Sequence, residues 1–330
     1  MTSFRLNVGG GVWEGGRASG LADVEWSHAL DGIETARFTL DAASDPALAA
    51  LKPGLEVALW LDGICVFEGT VGSRDLVWRG PHHRLGATCI GRAHVLRGAP
   101  RTRTFDGLTD AQAVQQVVEE AGLSLRECRL LDGTRRIEVQ WAETDWSLLG
   151  RLAARNGCAV WTAGHDVAIG VPGRGRPNRR VERESVVELE WTEDASDRPT
   201  SVAVAHWDWR RKVSVAPTVL LTDVDGVAGG RPSPGFRDCV VLHDVGSDGQ
   251  AVAETVAEHE AAARARDGVR GRLVLAGDPS WRVGDVLHIA DMSWVVGGPL
   301  LVTRVRHRVT AGRGFSTELF VCGSAAGEET

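Results

Sequence analysis

The chain has 330 residues, 43% of them apolar, enough to bury two or three cores, so more than one domain is expected. A net charge of −7 excludes the basic face that a nucleic-acid-coating protein needs, and no stretch approaches the ~20 apolar residues of a membrane-spanning helix. The N-terminus lacks the apolar run of a signal peptide, so the expectation is synthesis in the cytoplasm and no stable membrane insertion.

In chain order, residues 4–9 and 21–40 read as strands. Val24, Trp26 and His28 alternate, Asp31–Gly32 supplies a turn, and Ala36, Phe38 and Leu40 alternate on the return. A helical turn is expected over Asp45–Leu51, followed by Pro53–Gly54, a strand at Glu56–Leu61, a turn at Asp62–Gly63 and strands at Ile64–Val71, Asp75–Trp78 and Arg84–Gly91. Short strands with Gly and Asp turns at this spacing predict a small β-barrel or sandwich over residues 1–100.

Residues 101–180 predict an α+β middle domain. Thr109 and Gln112 form a capping box, Val114, Val117, Val118 and Ala121 mark a helix face, and Gly122 stops it. In the next strand Ile137, Val139 and Trp141 share an apolar face, with Glu138 and Gln140 opposite. Thr144 caps a helix whose core side is Leu148, Leu149, Leu152 and Ala153, with Arg151 and Arg155 facing outward and Gly157 ending it. Cys158–Trp161 and His165–Val171 return as strands. Gly173–Arg180, with four arginines, reads as a solvated linker.

Strands resume at Val186–Trp191 and Thr200–Trp209, the second with Val202 and Val204 on one face and Ala203 and Trp207 on the other. Leu221–Arg237 reads as a loop. Ser247 and Gln250 form a second capping box opening an Ala-rich helix to about Arg266, stopped by Gly268. The strand-rich end repeats an earlier pattern, Val283–Ile289 echoing Pro53–Leu59. The prediction is therefore a second β-barrel of similar topology from residues 181–214 with 269–323. Residues 215–268, with a helix near 250–266, could join the middle domain, and 324–330 form a disordered tail.

Site chemistry is sparse. Cys65, Cys89, Cys128, Cys158, Cys239 and Cys322 form no C-x-x-C pair and read as buried free thiols rather than a zinc site. Asp223 and Asp225 lack the further oxygens of a calcium loop. Glu258, His259 and Glu260 are consecutive on a helix and cannot converge on one metal. His82–His83 reads as an exposed turn, and helix capping accounts for the carboxylates Glu143 and Asp145. Without a phosphate-binding loop, nucleophile elbow or His-Glu-x-x-His helix, no catalytic, cofactor-binding or metal-ligating residue is assigned, and none of these cofactors is expected.

Gln140, Trp141, Glu143, Asp145, Trp146, Leu148, Leu149, Arg151, Leu152, Ala153 and Gly157 match a signature, Q-W-x-E-[ST]-D-[WF]-x-[LF]-[LI]-x-R-[LA]-A-x-x-x-G. It resembles the hub domain of the late control D proteins of contractile phage tails, shared with type VI spike proteins and hubs of contractile injection systems. Weaker matches extend the resemblance along the chain: Pro53, Gly54, Val57 and Leu59; Val66, Phe67, Gly69 and Val71; Asp110, Ala113, Val117 and Gly122–Leu123; Ser201, Val202, Val204, Trp207 and Asp208. The resemblance implies a structural baseplate hub without enzymatic activity. It would be a homotrimer of two barrels per chain, joining a six-fold inner tube to a three-fold spike inside a phage-tail-like particle. The implied partners are itself, an inner tube protein, a spike protein and other baseplate components. Because the chain stops at Thr330, the spike is expected to be a separate polypeptide. A tail-associated cell-wall hydrolase and a multi-barrel carbohydrate-binding protein are the alternatives.

Overall fold

Strands predicted at opposite ends of the chain meet in one sheet. In the computed structural model, residues 4–14, 21–41, 51–79, 82–130, 136–194, 200–208, 211–220, 239–243, 250–292, 298–310 and 314–323 are described. The N-terminal strands are β1 (Phe4–Val8), β2 (Gly11–Glu14), β3 (Leu21–Ala29), β4 (Thr35–Asp41), β5 (Glu56–Leu61), β6 (Ile64–Arg79) and β7 (His82–Gly91). The middle of the chain gives β8 (Arg101–Leu108), α1 (Asp110–Glu120), β9 (Ser124–Cys128), β10 (Arg136–Glu143), α2 (Asp145–Arg155), β11 (Ala159–Ala163) and β12 (Asp166–Gly170). Next come β13 (Asn178–Val181), β14 (Val186–Glu193), β15 (Ser201–Asp208), β16 (Val213–Val215), β17 (Thr218–Leu220), β18 (Val240–His243) and α3 (Gln250–Asp267). The chain closes with β19 (Val269–Ala276), β20 (Val286–Ile289), β21 (Leu300–Thr310) and β22 (Gly314–Gly323).

The main sheet runs β14-β19-β22-β21-β3-β4-β7-β6-β5-β1-β2, with β20 on β21 and β13 on β20. It is mostly antiparallel and curls around two cores. Phe38, Leu40, Leu59 and Phe67 lie at the centre of the first; Leu273, Leu287, Leu300 and Leu319 lie in the second. The mainly-β expectation therefore holds, but the sheets at the two ends are continuous through β3 and β21. Ile64–Val71 and Asp75–Trp78, expected as two strands, are one.

The predicted echo between Pro53–Leu59 and Val283–Ile289 is a repeated hydrogen-bonded turn. Gly54 and Gly284 both have positive φ, +91° and +85°, a conformation that strongly favours glycine. The Gly54 amide donates to the Val71 carbonyl and the Gly284 amide to the Val302 carbonyl, each at 2.8 Å. Val71 and Val302 donate back to Leu55 (2.8 Å) and Asp285 (2.9 Å). One residue later both strands carry a bulge, between Val71 and Ser73 in β6 and between Val302 and Arg304 in β21.

Two further segments repeat with matching registers. Leu21 pairs with Leu40 and, after a bulge, Asp23 with Thr39; Val186 pairs with Leu275 and, after a bulge, Glu188 with Val274. Val24–Glu25–Trp26–Ser27 thus corresponds to Leu189–Glu190–Trp191–Thr192, and Ala36–Arg37–Phe38 to Gly271–Arg272–Leu273. The strand order β3-β4-β7-β6-β5 recurs as β14-β19-β22-β21-β20.

The middle residues build a separate core from α1, α2 and the β11-β12-β9 sheet. Val114, Val117, Leu148, Leu149 and Leu152 are buried there, as their helical spacing predicts. Both caps form: Thr109 and Gln112 bond reciprocally, and the Thr144 hydroxyl accepts from the Ser147 amide. Gly157 has the predicted positive φ of 65°.

One strand is placed differently from expectation. β15, assigned by sequence to the second barrel, pairs with β16, β17 and β18 in its own sheet. Its Val202 and Val204 pack on Ala253, Ala257, Ala261 and Ala265, a stripe of every fourth residue on α3. Small side chains on the helix let the sheet approach closely, and that apolar match decides the pairing. The predicted turn at Asp45–Leu51 largely, the loop at Leu221–Arg237, the cap at Ser247 and the tail at 324–330 lie outside the described residues.

The turn between β3 and β4 ties the sheet to the middle core. Asp31 exchanges bonds with Val160, its amide donating to the carbonyl (2.7 Å) and its Oδ1 accepting from the amide (2.9 Å). Buried Glu34 accepts from the Gly164 amide at Oε1 (2.6 Å) and lies 3.5 Å from His28 Nδ1 at Oε2. Burial raises the Glu34 carboxyl to about 7 and lowers His28 to about 4. Between those values both groups are largely neutral, so the contact is not an ion pair. A raised carboxyl contributes stability that is whole below its unfolded value, near 4.5, and lost as pH rises through 7. Glu34→Gln is therefore expected to stabilise the protein at pH 8, by at most about 3 kcal/mol, and to change little at pH 5. Denaturant unfolding at the two pH values checks this; an equal effect at both would refute it.

Candidate assembly surface

In the middle unit, the strand before the signature helix is turned opposite to its hydrophobic pattern. Glu138 and Gln140 are buried, whereas Ile137, Val139 and Trp141 are exposed, Trp141 at 75%. The inward polar side chains belong to a network of charge. Arg155 Nη2 donates to Asp110 Oδ1 (2.7 Å) and Glu138 Oε2 (3.0 Å), and Asn156 Nδ2 to Asp110 Oδ2 (2.9 Å). Arg151 donates to Glu138 (2.5 Å) and Glu143 (2.6 Å). Arg103 reaches Gln140 (2.6 Å) and Asp145 (3.0 Å). Arg155 is thus not outward-facing: its side chain is 10% exposed. Buried carboxylates require such partners, and that requirement outweighs the apolar alternation of β10.

The same contacts account for Glu143 and Asp145, which are bound to arginines in addition to flanking a helix start. Glu258, His259 and Glu260 lie on α3 as expected, and among the described residues no three His, Cys, Asp or Glu side chains group as metal ligands. His82 and His83 open β7 and pair in register with Arg79 and Trp78, so the strands extend into the predicted turn. Cys89, Cys158 and Cys322 are buried and in no disulfide, but Cys65 and Cys128 are partly exposed and Cys239 is exposed. Burial pushes Cys89 up to about 12 and Cys158 to about 11, disfavouring their thiolates.

The arginine-rich segment 173–180 is not a solvated linker. Its end forms β13, parallel to β20. Arg176 lies 5.0 Å over the Trp161 ring and Arg179 3.7 Å over Trp281, with Asp278 at 2.8 Å. Cation–π contact and ion pairing fix these side chains, and composition alone gives no sign of either.

The face of the main sheet turned from its cores carries a ladder of opposite charges. Arg272 pairs with Glu188 (3.1 Å), Glu190 (3.2 Å) and Glu318; Arg306 joins Glu318 (2.9 Å) to Glu25 (3.3 Å). Arg308–Asp23 (2.6 Å), Arg37–Asp75 (3.9 Å) and Arg84–Asp41 (3.2 Å) continue it. Among the described residues the bare edges of the main sheet include the outer side of β14, and β6 beyond its pairing with β5. Val187, Leu76 and Val77 are exposed there. Bare edges and exposed apolar side chains suit association with another polypeptide.

The curled sheet thus combines open edges, an exposed apolar ribbon and a wall of compensated charge. The chain belongs to the phage tail baseplate hub (GPD) family, whose model matches residues 32–312. Among solved structures it resembles the 43 kDa tail protein of prophage MuSo2 from Shewanella oneidensis, with 11% identity and a TM-score of 0.78 over 97% of this chain and 98% of that one. A tail protein from Neisseria meningitidis MC58 has 14% identity and a TM-score of 0.76, covering 97% and 96%. An Escherichia coli component of the type VI secretion system, c3393, has 12% identity and a TM-score of 0.56, covering 94% and 76%. No curated protein matches by sequence. The membership makes this a hub protein of a phage tail or related secretion system, and among its described residues no helix is long and apolar enough to cross a membrane.

Proposed function

We propose that the chain forms a homotrimeric ring joining a six-fold inner tube to a three-fold spike. The observation that carries the reading is the internal repeat. One strand order, one glycine turn and two bulges occur twice in each chain, so three chains present six near-equivalent units. A closed cyclic assembly of this kind satisfies both symmetries at once. The repeated units are two barrels, one within residues 1–100 and one built from 181–193 with 269–323. They bracket the α+β domain of 101–180, and the sheet of β15–β18 with α3 forms an appendage. The partners are the tube protein, the spike and neighbouring baseplate proteins in a tail particle.

The protein has no catalytic role in this reading, because its most suggestive carboxylates, Glu143 and Asp145, are held by arginines. Sedimentation of the purified full-length chain tests the ring. Three chain masses are expected at micromolar concentration; a monomer across the accessible range would oppose it.

A further inference from the structure

One strand pairing joins the two repeated units inside the chain. Within the chain, the second half of β21 pairs antiparallel with β3, from Arg304↔Ala29 through His307↔Trp26 to Thr310↔Asp23. The registers described above make β6 the counterpart of β21, and β14 the counterpart of β3. Both counterparts lack a strand at the corresponding edge among the described residues. β5 pairs with β6 only as far as Thr70, leaving Ser73–Arg79 bonded on one side to β7, and β14 is bonded on one side to β19. The side chains reflect the vacancy. Val305 and His307, covered by β3, are buried, whereas their equivalents Arg74 and Leu76 are exposed.

We infer that β14 of one protomer adds antiparallel to the second half of β6 of the next. This deepens the ring reading above, on which it rests. Transferring the intrachain register through the repeat sets Arg74 opposite Glu193, Asp75 opposite Thr192, Leu76 opposite Trp191 and Val77 opposite Glu190. Strand addition satisfies two rows of open backbone groups and covers Leu76, while Arg74 and Glu193 meet as opposite charges. The occupant is a second copy because its edge has the same bulge and repeats Trp26 as Trp191. Eight strands per chain, β14 through β6 in sheet order, then continue around the ring without a free edge.

The two junctions differ in strength. Arg306 and Arg308 bridge the intrachain seam to Glu25 and Asp23, but their counterparts are Asp75 and Val77. The interchain seam lacks both of these ion pairs and has Arg74 facing Glu193 instead.

Cysteine cross-linking in the full chain tests the register. With Cys239→Ser as background, the pair Val77→Cys and Glu190→Cys is expected to shift most of the chain, under mild oxidation, to a band of three chain masses. The pair Val77→Cys and Thr192→Cys, displaced by two residues, should leave it largely monomeric in the denaturing gel. Hydrogen exchange of the unmodified protein gives a second reading: amides in Ser73–Arg79 and Val186–Glu193 should gain protection with increasing trimer. A trimer without either signature overturns this junction while leaving the ring reading intact. A chain that stays monomeric overturns both.

Discussion

Replacing Leu148 by Asp is expected to destabilise the protein by about 3–5 kcal/mol. Leu148 has no exposed surface and sits on the inner face of α2, with Leu149 and Leu152, against Leu96 and the valines of α1. The substitution removes a packed side chain and places an unpaired carboxylate where water cannot reach it. Against the ~5–15 kcal/mol that holds a typical domain together, this is a large fraction. Circular dichroism melting of the full chain should show the middle unit lost at a much lower temperature. A melting temperature equal to that of the parent would show that the helix face is misassigned.

Arg155→Ala is expected to cost a similar amount, again about 3–5 kcal/mol, although the position looks like a solvated helix residue in sequence. Arg155 is the cation between Asp110 and Glu138, all three being nearly buried. Its removal takes the shared guanidinium from two buried carboxylates, leaving Arg151 on Glu138 and Asn156 on Asp110. Coupling provides the specific check. Combined with Asp110→Asn, the loss should be clearly less than the sum of the single losses, because the neutral amide no longer needs the guanidinium. Additive effects, or a silent Arg155→Ala, would contradict the buried-network account.

These two positions show where sequence was readable. Leu148 was legible because helical spacing, the Thr144 cap and the Gly157 stop agree over one turn-by-turn pattern. Arg155 was not, because its partners lie on β10 and at the start of α1, far away in sequence. The same non-local pairing hid the orientation of β10: apolar alternation indicates two faces but does not say which one charge will claim. β13 carries no local signal, because its contacts are to Trp281, Asp278 and β20, about a hundred residues away. Adjacency in sequence groups β15 with β14, whereas its sheet partners are β16, β17 and β18 and its apolar face meets the Ala stripe of α3.

The duplication was partly visible. The Pro53 and Val283 echo stands out as a glycine turn, whereas Val24–Ser27 and Leu189–Thr192 share only Glu-Trp and similar neighbours. That pair gains meaning once registers and bulges can be compared. Bulges shift which side chains face the core, so their recurrence is a stronger sign of common architecture than residue identity.

The most direct measurement of the central claim is a cryo-EM reconstruction of the full-length chain with the inner tube protein of its particle. The account requires a three-fold ring in which each chain contributes two superposable barrels at one height, six in all. β14 of each chain should run beside β6 of its neighbour. A particle in which the N-terminal and C-terminal sheets occupy unrelated positions, or in which the chain is a monomer beside the tube, would contradict it.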